Sequence, residues 1–152
     1  MIYVMAVAIG VIAGLRAMTA PAAVSWAAWL DWLPLDETSL AFLGSIWAVG
    51  ILTLLALGEL VADQLPSTPS RKVPIQFGTR MVTGALSGAA IAAPYNMLAG
   101  GLLSGAIGAV IGTYVGAASR ASLASSLGRD LPAALVEDFV AIAGAFLIVS
   151  NL

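Results

Sequence analysis

The chain contains no cysteine and no histidine. Without cysteine there is no disulfide, no thiolate nucleophile and no iron–sulfur ligation. Without histidine it lacks the commonest transition-metal ligand and the side chain that titrates nearest neutral pH. Charge is scarce as well. Six Lys and Arg with eight Asp and Glu make up 9% of 152 residues, where soluble domains carry about a quarter. The net charge of −2 excludes a strongly basic nucleic-acid surface. What remains is apolar: 61% of residues, with a mean hydropathy of +1.02. This composition predicts an integral membrane protein with most of its length in lipid.

A transmembrane helix needs about 20 mostly apolar residues. Five stretches qualify: Ile2–Thr19, Leu40–Asp63, Gly78–Pro94, Leu98–Ala118 and Pro132–Val149. The expected fold class is all-α, a polytopic membrane helix bundle of about five transmembrane helices forming one domain over 1–152. No basic residue precedes the first apolar run, and Arg16 falls where a cleavable signal is uncharged, so this run reads as a retained span. Thr19-Ala20-Pro21 suits a helix start. Trp26, Trp29 and Trp32 follow at intervals of three, a pattern suited to the headgroup level. A short interfacial or broken helix near 20–32 is therefore expected. Its rival is one long first helix kinked at Pro21.

Basic residues set orientation. Arg71, Lys72 and Arg80 follow the second span and Arg120 and Arg129 the fourth, whereas Asp31, Asp36 and Glu37 follow the first. With five spans this predicts a cytoplasmic N-terminus and an outer C-terminus. Gln64–Pro74 holds three prolines and reads as the one linker.

Small residues mark helix packing. Ser104, Gly108, Gly112 and Gly116 lie four apart on the fourth span, as do Gly84 and Gly88 on the third and Gly10 and Gly14 on the first. Such stripes let helix backbones approach closely in lipid. They fit either packing inside one bundle or a homodimer seam along the fourth span. A short repeat is also visible. Gly14–Thr19 and Gly78–Thr83 share G-x-R-x-x-T, and Leu60–Asp63 resembles Leu135–Asp138. Duplicated halves are common among transporters, but five spans do not divide evenly.

Seven ionisable residues fall in or at the ends of spans: Arg16, Glu59, Asp63, Arg80, Arg120, Glu137 and Asp138. Such groups are costly in lipid and face a partner or a cavity. Glu59 and Asp63 share a helix face, and Arg120 continues the glycine stripe. Glu137 and Asp138 are adjacent, so one is expected to face a cavity and the other a partner. Three readings compete. The arginines and carboxylates are structural ion pairs; or they line an ion or solute pathway; or the acids hold Mg²⁺ for a membrane enzyme acting on a phosphorylated substrate. Ser122, Ser125 and Ser126 have no histidine or nearby lysine to activate a nucleophile. Gly100-Gly101 lacks the lysine of a phosphate loop. Tyr95 and Asn96 suit an outer-interface anchor.

In order, Gly14-Leu15-Arg16, Glu59–Pro66, Arg80 with Gly84-Ala85-Leu86, the glycine-rich span ending at Arg120, and Val136-Glu137-Asp138 resemble the bacterial membrane proteins grouped as domain of unknown function 4126. The resemblance covers nearly the whole chain. It implies a multi-pass protein of the bacterial inner membrane, with the same seven charged residues on recurring polar positions. It implies no activity. The combined expectation is a small channel or carrier for an ion or small solute, not an enzyme. Glu59, Asp63 and Asp138 would handle a cation or proton, and Arg16, Arg80 and Arg120 would tune charge. No cofactor is expected and no metal is assigned. The expected partners are the bilayer, a small ion or solute and a second copy of the chain, with no nucleic acid.

Overall fold

A computed structural model describes residues 1–65 and 72–152. Arg71 and much of the expected proline-rich linker lie outside the described residues. The described chain is all-helical, with six α-helices: α1 (Ile2–Leu15), α2 (Thr19–Trp29), α3 (Ile46–Ala62), α4 (Pro74–Ala92), α5 (Leu98–Leu127) and α6 (Asp130–Val149). Short 3₁₀ turns occupy Ala41–Gly44 and Ala93–Tyr95.

Local chemistry accounts for several boundaries. The Ser45 hydroxyl accepts from the Ala48 N–H at 3.2 Å and caps α3. Pro74 stands in the first turn of α4, where its missing N–H costs nothing. Asn96 (φ 57°) turns the chain between α4 and α5, and Gly128 (φ 68°) ends α5. Both adopt the left-handed conformation that these two residue types tolerate best. The expected fourth span stopped at Ala118, but α5 continues to Leu127. Ser125 and Ser126 donate to the Ser122 carbonyl along its last turns.

The chain breaks earlier than Pro21. Arg16 is extended (φ −137°, ψ 109°), and Pro21 sits inside the first turn of α2. The two helices then form a hairpin. Ile12 meets Gly144 and Arg16 meets Asp138, so α1 runs antiparallel to α6. Trp32 stacks edge-on with Phe146, which carries the chain after α2 back up along α6. Trp26 bonds Thr53 while Met18 bonds Glu59, so α2 and α3 are antiparallel. The short helix expected near 20–32 after a break is α2, which begins at Thr19. Seven of its eleven residues are buried, and it packs against α3, α4 and α6.

The hairpin changes the arrangement of the ends. Tyr3 lies beside Gly100, and Met1, the 30–45 connection, the Asn96 turn and the C-terminus share one end. The hairpin tip, the end of α3, Lys72 and the α5–α6 turn with Arg129 share the other. The expected pairing of the N-terminus with the basic loops is therefore overturned: Met1 lies opposite them, on the side of the C-terminus.

Helix α5 is the centre, packed chiefly against α1 and α4. Its glycines explain how. A Cβ on Gly108 or Gly112 would strike the Val7 or Val11 carbonyl of α1. A Cβ on Gly101 or Gly105 would strike the backbone of α4 at Gly88 or Gly84. Gly116 is buried and Ser104 half-buried on the first of these faces. The stripe is thus consumed inside the chain and does not form a seam along α5 for a second copy. The outside of the molecule is apolar: Trp47, Ile75 and Phe139 are each more than 70% exposed. Helices α5 and α6 are long and apolar enough to cross a membrane, and α1 and α3 are shorter apolar helices. These helices suggest a membrane protein.

Candidate functional site

A break between two helices leaves backbone groups at both ends without intrahelical partners. Here both sets are met by charged side chains from other helices. On the α1 side, Arg80 of α4 donates from Nη1 to the Gly14 and Leu15 carbonyls at 2.9 and 2.7 Å. On the α2 side, the Glu59 carboxylate of α3 accepts from the Ala17 and Met18 N–H groups, each at 2.7 Å. These are the favourable signs at each end, a cation at a helix C-terminus and an anion at a helix N-terminus. Arg80 Nη2 also lies 3.8 Å from Glu59, so the two clamps touch.

Arg16 occupies the break itself. It is fully buried, the largest side chain in the molecule with no exposed surface. Its guanidinium pairs with Asp63 at the end of α3. It also pairs with Asp138 of α6, whose Oδ1 receives the Nε hydrogen at 2.6 Å. Glu137 stands 3.8 Å from the same guanidinium and 3.7 Å from that of Arg120. Arg120 in turn forms a two-pronged pair with Asp130, at 3.0 and 2.6 Å, and donates to the Asp63 carbonyl at 3.2 Å.

All seven residues singled out in the sequence meet here. Asp138 pairs with Arg16, while Glu137, between Arg16 and Arg120, also lines a crevice of about 290 Å³ beside Gly112 and Gly116, in keeping with the expected split between a partner and a cavity. The rotation of about 100° between neighbouring residues of a helix is spanned because Arg16, in the break after α1, and Arg120, on α5, approach α6 from different directions.

Two features escaped the sequence reading. Asp130 is the main partner of Arg120, brought back by the Gly128 turn. An acid in the first turn of a helix is the available signal. The clamped backbone at 14–18 had no signal, because its partners are remote in sequence.

A crevice of about 600 Å³ between α3 and α4 reaches Glu59 and Asp63 beside Met18. Among the described residues no group of acidic side chains is arranged to hold a metal ion. The carboxylates are directed at arginines and N–H groups. On the glycine-paved side, Thr113 is buried and donates to the Ala109 carbonyl of its own helix at 2.8 Å.

Neither among curated proteins nor among solved structures was a match found. The match that exists is to a family. The model described as Domain of unknown function (DUF4126) fits residues 3–151, and the chain belongs to that family.

Proposed function

We propose that this chain is a multi-pass membrane protein that admits protons or small cations at the tip of the α1–α2 hairpin. The membrane reading is supported by an inverted distribution of polarity. Arg16, Arg80, Glu137 and Asp138 are buried while large apolar side chains cover the outside. By the positive-inside rule, the end with Lys72, Arg120 and Arg129 faces the cytoplasm. Both termini and the acidic Asp31–Glu37 loop then lie outside. The family resemblance adds a bacterial inner-membrane setting.

The observation that carries the transport reading is the sharing of buried Arg16 between Asp63 and Asp138 at a helix break. Broken helices with exposed backbone ends are how transport proteins build ion sites within a membrane. The five carboxylates Glu59, Asp63, Asp130, Glu137 and Asp138 meet three arginines, which suits a cation or proton rather than an anion. The crevice at Glu59 and Asp63 supplies an approach from the cytoplasmic end. Asp138 and Asp63 then hand the cation or proton past Arg16, which exchanges between them.

A second reading has its own support. Glu59 and Arg80 hold the two sides of the hairpin tip through their carboxylate and Nη1 bonds, as purely structural groups would.

Proteoliposomes carrying a pH- or potassium-sensitive dye separate the two. Transport predicts cation or proton flux above empty vesicles, with Asp138→Asn folded but silent. If wild-type vesicles show no flux for any small cation, and Asp138→Asn is instead strongly destabilised, the charges are structural.

A further inference from the structure

Helix α3 is held differently from its neighbours. Among the described residues it packs chiefly against α2 and the Ala41–Gly44 turn, and Val49 is its one buried residue. Hollows flank it on two sides, one of about 360 Å³ towards α6 and the crevice of about 600 Å³ towards α4. Its two ends are attached by different chemistry. At the start, Val49 is buried, Leu43 just ahead of the helix is buried, and Ser25 of α2 donates to the Leu43 carbonyl. One turn on, the Trp26 indole donates to Thr53 at 2.9 Å. From Gly50 to Ala62 no side chain is buried. The end at the hairpin tip is held by polar bonds. Glu59 accepts from the Ala17 and Met18 N–H groups, Asp63 pairs with Arg16, and the Asp63 carbonyl accepts from Arg120.

We infer that α3 is the gate of the hairpin tip: it pivots at Gly50, and its second half swings away from the bundle when Glu59 and Asp63 lose their hold. The swing opens the crevice onto Arg16. This deepens the transport reading above and rests on it for what passes the gate. A hinge of this kind needs a firm side, a soft joint and a latch that can let go. Leu43 and Val49 are the firm side. Gly50 is the joint, because glycine loosens a helix and a Cβ there would meet nothing within 4 Å, so no neighbour braces it. Glu59 and Asp63 are the latch. Arg80 of α4 lies beside Glu59, while Asp138 and Glu137 of α6 share Arg16 with Asp63. A cation or proton that reaches Glu59 or Asp63 through the crevice offsets the negative charge on which these bonds depend. Twelve residues of rise from Gly50 to Ala62 make a lever of about 18 Å, so a tilt of about 20° moves its end by about 6 Å. The moving half leaves no packed core behind, since none of its side chains is buried.

The chain has no cysteine of its own, so spin labels on introduced cysteines read the motion in lipid nanodiscs. Val61 on α3 and Ile75 on α4 are exposed at the tip end, and Trp47 and Tyr95 are exposed at the opposite end. Glu59→Gln combined with Asp63→Asn should lengthen the 61–75 distance by about 6 Å and leave the 47–95 distance unchanged. In the otherwise wild-type chain the 61–75 distribution should be the broader of the two. Gly50→Ala should narrow it, a comparison that needs no charge variant to fold. An unchanged 61–75 distance in a folded double variant overturns the proposal, as does a 61–75 distribution that Gly50→Ala leaves as broad as before. Lengthening of both distances together also overturns it, because α3 then leaves as a whole and does not pivot. Dye-loaded vesicles keep the two readings apart. Cation or proton flux through a chain whose 61–75 distance never changes ends this inference alone, whereas a pivoting α3 without flux of any small cation ends the transport reading.

Discussion

Around Gly105 the helices meet because side chains are missing, and around Arg16 they meet because charged side chains are present. At the first place α1, α4 and α5 approach until backbone touches backbone, and a Cβ on Gly105 would collide with the Gly84 carbonyl. At the second, a turn or two further along the same helices, α1 simply stops. Its loose ends are tied to α3, α4 and α6 by Glu59, Arg80 and Asp138. Close packing tolerates no added atom. A charge network tolerates changes of shape but not the loss of its shared cation, because the buried carboxylates around Arg16 have no solvent to turn to. The two regions should therefore fail differently.

The largest effect is expected at the packed region. Gly105→Leu inserts a branched side chain between two backbones, and overpacking of this kind costs about 3 kcal/mol or more because rigid helices must part. Loss of the monodisperse peak in detergent chromatography is the expected result. Gly50→Leu is the matched control, since a Cβ on Gly50 meets nothing within 4 Å. Equal behaviour of the two variants would dissolve the distinction between the regions.

An effect of the same order belongs to the tip. Arg16→Met removes the cation shared by Asp63 and Asp138. Breaking such a buried pair costs about 3–5 kcal/mol, because the carboxylates are left uncompensated. Thermal unfolding in detergent measures it. An Arg16→Met protein as stable as wild type would contradict the charge account.

The same contrast governs what could be read in advance. The seven charged residues stood out because ionisable groups are rare in so apolar a chain, and the structure gathers all of them. The glycine stripe of α5 was legible by its spacing of four. Its second face, Gly101-Gly105-Ala109, was present at the same spacing and passed unnoticed. The break was legible, since Thr19-Ala20-Pro21 marks a helix start where α2 begins, but the doubling back of α2 was not, because apolar residues run on through Ala17 and Met18. What makes the break affordable is Glu59, 41 and 42 residues away from the N–H groups it receives, and Arg80, 65 and 66 residues from the carbonyls it binds. That one reversal puts Met1 at the end of the bundle opposite Lys72 and Arg129. The two G-x-R-x-x-T matches also part company. Gly14–Thr19 straddles the break, whereas Gly78–Thr83 lies within unbroken α4, so equal letters do not yield equal local structure.

The smallest effect should come from the rim of the charge network. Arg120–Asp130 has better hydrogen-bond geometry than several inner contacts, with two bonds of 3.0 and 2.6 Å. Yet the Asp130 side chain is 63% exposed. Water already solvates the carboxylate there, and an exposed pair contributes about 0–1 kcal/mol. Asp130→Ala should therefore shift the unfolding midpoint little, and salt should diminish even that shift. Arg120 keeps Glu137 at 3.7 Å and the Asp63 carbonyl at 3.2 Å. Burial, not bond geometry, is thus what grades this network from Asp130 inward to Arg16. An Asp130→Ala loss as large as that of Arg16→Met would mean that the bidentate geometry matters more, and that the α5–α6 turn is as much a part of the tip as the break itself.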